Sequence, residues 1–314
     1  MLGVVLVALT AASAALAADG PLRAMRWLAP GTDLFHALGT RPAECLGRPA
    51  RGDSAYAVEV GRAAFRTPLV LGGQAARAGV ACETCHKGGR TNPDFLVPGI
   101  SGAPGTADVT SSLFSSHRGD GVDNPKPIPD LGGPKARLKV SQDPRGRALE
   151  TFIHGLVTEE FDGAEPPPQV LDGLAAYVRA LSPAACSGAE SRPIRAEDGL
   201  DDARRAVAAA RAALAQGDRP TAALMVGAAR SQLGLIYERY DAPALAADRD
   251  RLSRADQDLA AIAAAIRAGD PRAGRRLGAW TTASAGWAAR LVRDEPRSLF
   301  DPRRLAGLAK APSG

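Results

Sequence analysis

The chain has 314 residues, of which 45% are hydrophobic and 23% charged, a composition that excludes wholesale disorder and allows two domains with sizeable cores. Its formal net charge of +5 is uneven, because residues 191–314 carry 21 Lys or Arg and 15 Asp or Glu, a net of +6. These arginines are scattered along helical patterns without interleaved aromatic residues, which argues against a nucleic-acid-binding protein.

The first residues, MLGVVLVALTAASAALA, combine a short apolar run with small residues that end in Ala15-Leu16-Ala17. This pattern predicts a cleaved export signal over residues 1–17 and therefore a periplasmic protein. An uncleaved anchor is the alternative, since no Lys or Arg precedes the apolar run. No later segment is apolar enough for a transmembrane span, and residues 18–53 are expected to form an N-terminal segment ahead of the first domain.

The first half of the chain contains two predicted helices, one before and one after its centre. The stretch SAYAVEVGRAAFRTP has amphipathic helical spacing, with Gly61 and Phe65 one turn apart on one face. The stretch PQVLDGLAAYVRALS has apolar residues at helical spacing and is followed by Pro183. Because glycine lets another backbone approach closely, we expect the two helices to cross at Gly61, with Phe65 near Tyr177.

Between these helices lies the stretch ACETCHKGGR, which contains Cys82, Cys85 and His86. Two thiols at this spacing can each add to one vinyl group of a haem, while the adjacent imidazole binds the iron. A thioredoxin-like redox pair would need a βαβ context, and a zinc site would need two further ligands close by, whereas the nearest other cysteine is 37 residues upstream. The motif therefore predicts one covalently bound haem c, with iron ligated by His86.

Other residues are candidates for the surroundings of this iron. Pro98, twelve residues after His86, is expected to accept a hydrogen bond from the imidazole nitrogen that does not bind the metal. For the sixth ligand we predict His154, in ALETFIHGLVTEEF. The alternatives are His117 in a polar glycine-rich loop, a flexible Met, and an open or water-bound position, which would permit ligand chemistry.

A long irregular segment runs from Gly99 to Lys139 and is rich in Gly, Pro, Ser and Asp. Irregular segments of this length inside a compact domain are usually functional, and we expect this one to cover the haem edge. Within it, Arg118 and Lys126 are candidates to pair with the haem propionates.

Cys45 and Cys186 are the two cysteines outside the haem motif. In an exported protein they are expected to form an intramolecular disulfide that holds the two ends of the haem domain together. Two unrelated buried thiols are the alternative.

Several of these features resemble a class I cytochrome c, namely Gly61-x-x-x-Phe65, Cys82-x-x-Cys85-His86, Pro98 and the helix from Leu174 to Leu181. Over about residues 54–182 the chain is also similar to one half of the bacterial di-haem cytochrome c peroxidase and MauG-like family. The resemblance implies an all-α haem domain, which we assign to residues 54–186. The chain departs from that family in having one haem motif instead of two, and the methionines that remain after signal removal, Met25 and Met225, lie outside the distal loops.

Alanine-rich helical patterns fill the second half. Breaks at Gly217 to Pro220, at Asp241 to Pro243 and at Gly269 to Pro271 divide it into four helices. We predict an antiparallel four-helix bundle over residues 197–295, reached through a linker at 187–196 and followed by a flexible tail at 296–314.

These features together predict an exported monohaem c-type cytochrome that acts as an electron carrier and transfers single electrons to a redox partner. The net charge of the second half favours an acidic partner protein. One alternative is a peroxidase-like haem oxidoreductase with an open distal site, and another is a haem-linked redox or ligand sensor.

Overall fold

The computed structural model describes residues 28–29, 31–47, 52–133, 136, 138–186 and 191–308. The protein is mostly helical, with 60% helix and 4% strand, as the sequence predicts. The expected export signal over residues 1–17 and Met25 lie outside the described residues. Among the residues that are described, no helix combines the length and the apolar character needed to cross a bilayer.

Short helices separated by irregular chain make up the first part of the molecule. Its α-helices are α1 (Asp53–Phe65), α2 (Gly73–Arg77), α3 (Cys82–Cys85), α4 (Ala148–Gly155) and α5 (Pro168–Ala180). One π-helical turn, Phe35–Gly39, precedes α1, and another, Leu156–Glu160, continues α4. The strands are β1 (Thr40–Pro42), β2 (Thr106–Ala107), β3 (Lys126–Pro127) and β4 (Ser191–Pro193), with β1 antiparallel to β4 and β2 antiparallel to β3.

The predicted crossing of two helices is found between α1 and α5. A Cβ atom built on Gly61 would overlap the carbonyl group of Gly173, so the two backbones touch with no side chain between them. The ring centroids of Phe65 and Tyr177 lie 5.0 Å apart. Helix α5 begins at Pro168 because the proline ring suits the first turn of a helix, where an amide hydrogen has no partner.

The four helices expected in the second half are α6 (Ala196–Ala215), α7 (Arg219–Arg239), α8 (Ala246–Arg267) and α9 (Ala273–Asp294). Each packs on the next, and α6 also packs on α9. Gly217 and Gly269, with φ of 77° and 76°, reverse the chain between consecutive helices in a conformation that favours glycine. Met225 is fully buried, in agreement with its predicted role in the core.

Two boundaries differ from the sequence prediction. Residues 302–308, expected to be part of a flexible tail, form helix α10 (Pro302–Leu308), because Leu305 is buried against the turn at Phe35–Gly39. Residues 191–193, expected to be linker, form β4 because β1 offers them a hydrogen-bonding edge. Neither partner is near in sequence, so local composition could not indicate them.

A buried network of charges joins the two parts of the chain. Asp202 of α6 accepts hydrogen bonds from Arg62, at 2.6 Å, and from Arg66, both on α1. The same two guanidinium groups bind Glu44, each at 3.0 Å, and Glu44 also accepts a 2.7 Å bond from the Tyr177 hydroxyl. The two acidic groups are thereby surrounded by positive charge and by hydrogen-bond donors.

Burial alone would raise the pKa of both carboxyl groups. The guanidinium groups of Arg66 and Arg62 outweigh burial, and the pKa of Glu44 falls to about 2. The pKa of Asp202 also falls to about 2 for the same reason. Both groups are therefore ionised at neutral pH, and the contact between α1 and α6 depends on their charge.

Candidate functional site

A cavity of about 360 Å³ lies between α3, the α4 and α5 helices and the long irregular segment. Most of its wall is apolar, with Phe65 and Leu174 among the side chains that form it. Cys82, Cys85 and His86 all line it, so the structure brings the three residues of the predicted motif to one surface. The walls also include residues 107–110, 124, 126–129, 131 and 138–139, which belong to the segment expected to cover the haem edge.

Local hydrogen bonds explain the shape of the motif. The Thr84 hydroxyl accepts a bond from the Ala81 amide at 2.9 Å, and the His86 amide donates to the Cys82 carbonyl at 2.8 Å, which closes one helical turn. Gly88 and Gly89 then adopt φ of 64° and 72°, so the chain turns away directly after the histidine. Both cysteines and the imidazole thus project from a single compact turn.

Glu83, inside the motif, links this turn to the buried charges. Its carboxylate accepts a 3.0 Å bond from the Gly88 amide and lies 3.8 Å from the Arg66 guanidinium group. Arg66 in turn binds Glu44 and Asp202. The helix crossing, the motif and α6 therefore share one set of ionic contacts.

The orientation of the His86 ring is fixed by a hydrogen bond. Its Nδ1 lies 3.0 Å from the carbonyl oxygen of Pro129, which leaves Nε2 for the cavity. Desolvation lowers the pKa of His86 to about 4, against the smaller opposing effects of that bond and of Asp130. At neutral pH the ring is therefore an uncharged imidazole, the form that binds a metal.

The prediction that Pro98 accepts this bond is wrong. Pro98 is exposed in a turn closed by the bond from Ile100 to Val97. Pairing of β2 with β3 instead brings the segment after Lys126 beside the motif, and Pro129 occupies the expected position. This contact spans 43 residues of sequence, so a spacing argument could not find it.

The two thiols of the motif are not bonded to each other. Burial raises the pKa of Cys82 to about 12 and that of Cys85 to about 12, so both remain uncharged thiols. Two thiols and a neutral imidazole on one wall of an apolar cavity are the donor set that a covalently attached haem requires. The residues present therefore fit the cofactor that the sequence predicts.

His154 does not line the cavity. Its Nε2 lies 2.7 Å from the Glu165 carboxylate on the outer side of α4. Ile153 and Val157 face the cavity instead, because the apolar stripe of this helix points inward and position 154 lies outside it. The assignment of His154 as the sixth ligand is therefore wrong for this structure.

The alternative histidine is also remote. The His117 side chain is 65% exposed and lies 3.9 Å from Asp162. Its neighbour Arg118 binds the Glu159 carboxylate at 2.9 Å, so it is paired with a side chain of the protein. Of the two predicted propionate partners, only Lys126 lies on the cavity wall.

Two polar side chains on the cavity wall were not singled out from the sequence. The Oε2 atom of Glu160 and the Oε1 atom of Gln142 are buried and have no hydrogen-bond partner within the part of the chain that the structure describes. Burial raises the pKa of Glu160. Buried oxygens of this kind usually have a partner, so both are suited to meet a ligand inside the cavity.

The predicted pairing of Cys45 with Cys186 is confirmed. Their sulfur atoms lie at disulfide distance and their Cα atoms are 4.6 Å apart. The bond connects the segment before α1 with the turn after α5, across 141 residues of sequence. It therefore encloses every residue that lines the cavity.

Comparisons with protein-family models, with curated proteins and with solved structures give no match for this chain.

Proposed function

We propose that this protein is an exported, periplasmic monohaem c-type cytochrome that transfers single electrons to a redox partner. The observation that carries the proposal is the joint presence of Cys82, Cys85 and His86 on one wall of an apolar cavity, with the ring held by Pro129. Haem supplies the one-electron chemistry when it is bound. The class I cytochrome c fold is part of the proposal and is supported by the α1 and α5 crossing at Gly61.

Each of the named residues has a separate task. Cys82 and Cys85 would hold the cofactor through thioether bonds, and His86 would bind the iron through Nε2. The Pro129 carbonyl orients the ring and increases its basicity. Apolar walls that include Phe65 and Leu174 exclude water, which favours the less charged, reduced state.

The second half of the chain is proposed to be an antiparallel four-helix bundle that helps to dock the partner. Support comes from the packing of α6 to α9 in sequence and from the contact between the first and last of these helices. The net charge of +6 in residues 191–314 suits an acidic partner protein. If so, complex formation should weaken as salt is added, whereas binding that is indifferent to salt would contradict this role.

Expression with a c-type maturation system tests the central proposal. The wild-type protein should be coloured and should keep its pigment in acidified organic solvent, because the bonds to sulfur are covalent. Replacing both cysteines, C82S with C85S, should release the pigment, and H86A should change the absorption spectrum of the haem, because the iron would lose its imidazole ligand. The matched control H154A should change neither property, since His154 faces Glu165. A colourless wild-type protein, or complete extraction of the pigment, would overturn the proposal.

A peroxidase-like enzyme is the second candidate, and one observation favours it. Glu160 and Gln142 present unpartnered oxygens to the same cavity that His86 lines. A buried carboxyl group with a raised pKa can transfer a proton to or from a bound ligand. A high-spin ferric spectrum that changes on addition of peroxide, with a reaction slowed by E160Q, would favour the enzyme. A low-spin spectrum unaffected by peroxide or carbon monoxide would favour electron transfer.

A further inference from the structure

The loop that holds His86 is itself fastened by an ion pair. Pro129 is followed by Asp130, whose carboxylate accepts bonds from the Arg90 Nε atom at 2.8 Å and 2.9 Å. Asp130 also accepts bonds from the amides of Gly132, at 3.1 Å, and Gly133, at 2.7 Å. The side chains of Arg90 and Asp130 are only 15% and 13% exposed, so the pair is largely shielded from water.

Two further bonds join the same short segments on either side of Pro129. The Thr91 hydroxyl donates to the Ile128 carbonyl at 3.0 Å, and the Leu131 amide donates to the Gly89 carbonyl at 3.1 Å. A Cβ atom at position 133 would overlap the ends of the Asp130 and Arg90 side chains, so a larger residue there would displace the ion pair. The Pro129 carbonyl, which accepts the hydrogen bond from His86, is therefore held in place by contacts on both sides of it in the chain.

Arg90 also reaches the disulfide. Its Nη1 atom lies 3.6 Å from the Cys45 sulfur and 3.9 Å from the Cys186 sulfur. The guanidinium group thus lies between the disulfide and the loop that orients the imidazole. This arrangement limits the movement of Arg90 and keeps its charge close to Asp130.

We propose that Arg90 and Asp130 are positioning residues that set the reduction potential of the cofactor bound by His86, through the Pro129 carbonyl and through their opposite charges. This inference rests on the proposed function. A negative charge at Asp130 strengthens the carbonyl as an acceptor, makes the imidazole more basic and favours the ferric state. The positive charge of Arg90 counteracts that effect, so the two charges of the intact pair largely cancel in their influence on the reduction potential.

The opposite charges of Arg90 and Asp130 predict opposite shifts in the reduction potential, which a purely structural role would not produce. Removing Arg90 leaves the Asp130 charge uncompensated and should lower the potential. Removing the charge of Asp130 leaves Arg90 uncompensated and should raise it. A pair that served only to hold the loop would move the potential in the same direction in both variants, because either loss would loosen the same carbonyl.

The test is a redox titration of the matured holoprotein for R90Q, D130N, the double variant and the charge-preserving R90K. We expect R90Q to shift the equilibrium toward the ferric form by about threefold to tenfold, and D130N to shift it oppositely; tenfold corresponds to about 59 mV for one electron. R90K and the double variant should lie near wild type. Shifts of the same sign, or no shift in either single variant, would overturn the inference.

The outcomes separate this inference from the proposed function. If the wild-type protein retains covalent haem but the reduction potentials of R90Q and D130N shift in the same direction, only the proposed role of the Arg90–Asp130 pair is rejected. A wild-type protein that binds no haem rejects both. If the Arg90 variants fail to mature, D130N is compared with the charge-preserving D130E, since Asn and Glu can both still accept the amide bonds of Gly132 and Gly133. A potential that rises in D130N but not in D130E supports the role of the charge, and equal shifts in the two variants overturn it.

Discussion

Gly61 of α1 lies in direct backbone contact with Gly173 of α5, and no side chain separates the two helices at this point. The contact allows Phe65 to pack against Tyr177 one turn further along. Phe65 is also a wall of the cavity and lies 6.4 Å from the His86 ring, measured between centroids. The close crossing of the two glycines therefore places Phe65, a residue of the cavity wall, against α5.

Replacing Gly61 by alanine should destabilise the protein strongly, because the new methyl group would overlap the Gly173 carbonyl. We expect a loss of about 3 kcal/mol or more in the free energy of unfolding, since the helices must separate or shift. Denaturant titration measures this. Gly155→Ala is the matched control, since nothing lies within 4 Å of its Cβ position and its φ of −61° is helical; it should be neutral or slightly stabilising. Equal losses in both variants would contradict the close crossing.

Asp202→Ala should weaken the attachment of α6 to α1. The substitution leaves Arg62 and Arg66 buried with Glu44, and with Glu83 at 3.8 Å from Arg66, as their remaining acidic partners. Removing one partner from a buried ionic network typically costs about 3–5 kcal/mol. The adjacent Asp201→Ala is the control, because its side chain is 53% exposed and its bond to Arg204 is 3.4 Å long. A small effect at position 202 would show that the network contributes little to folding.

Acid should destabilise the protein through the same carboxylates. The folded-state pKa of Glu44 is about 2, below its ordinary value of 4.5, so its contribution is present above about pH 4.5 and is lost as the pH falls toward 2. A depression of this size corresponds to a contribution on the order of 3 kcal/mol. Unfolding free energies measured between pH 6 and pH 2 should therefore fall steeply.

Glu44→Gln serves as the control for this pH dependence, because its amide oxygen can still accept from Tyr177 but no longer titrates. The variant should be less stable at neutral pH and should lose less stability on acidification. A wild-type profile with the same slope as the variant would assign the acid sensitivity to other groups. Glu44 and Asp202 share Arg62 and Arg66, so their contributions will not add simply.

Loss of the disulfide should destabilise the first part of the chain. With a sequence separation of 141 between Cys45 and Cys186, the chain-entropy model gives a loss of about 5 kcal/mol for the double variant C45S/C186S. Thermal unfolding with and without a thiol reductant measures the effect. The reductant should lower the midpoint of the wild type but not that of the double variant, since thioether bonds resist reduction. An unchanged wild-type midpoint would mean that the bond constrains little.

The parts of the fold that local patterns specify were predictable. Apolar spacing and proline boundaries indicated α1, α5 and the four long helices, and the cysteine count indicated the bond between Cys45 and Cys186. The crossing at Gly61 followed from the steric property of glycine. The helices of the second half also lie close to their predicted bounds because Gly217 and Gly269 end them sharply.

The surroundings of His86 were not predictable in the same way. Pro129 reaches the ring only because β3 pairs with β2, and the segment from Gly99 to Lys139 has too little periodicity to reveal that pairing. The position of His154 along the chain favours it as a ligand, but the rotation of α4 directs its side chain toward Glu165. The burial of Glu160 likewise depends on tertiary packing. In the sequence it is only a charged residue near a helix end, which by itself predicts exposure to solvent.

The four cysteines impose opposite demands during biosynthesis. In the proposed holoprotein, Cys45 and Cys186 are oxidised to each other, whereas Cys82 and Cys85 would have to reach the haem as free thiols. Cys45 is closer in sequence to both motif cysteines than to its own partner, so an oxidant acting on the emerging chain would join the wrong sulfurs first. Correct maturation therefore needs either completion of the chain through Cys186 before oxidation or a reductase that reopens the early, mismatched bond.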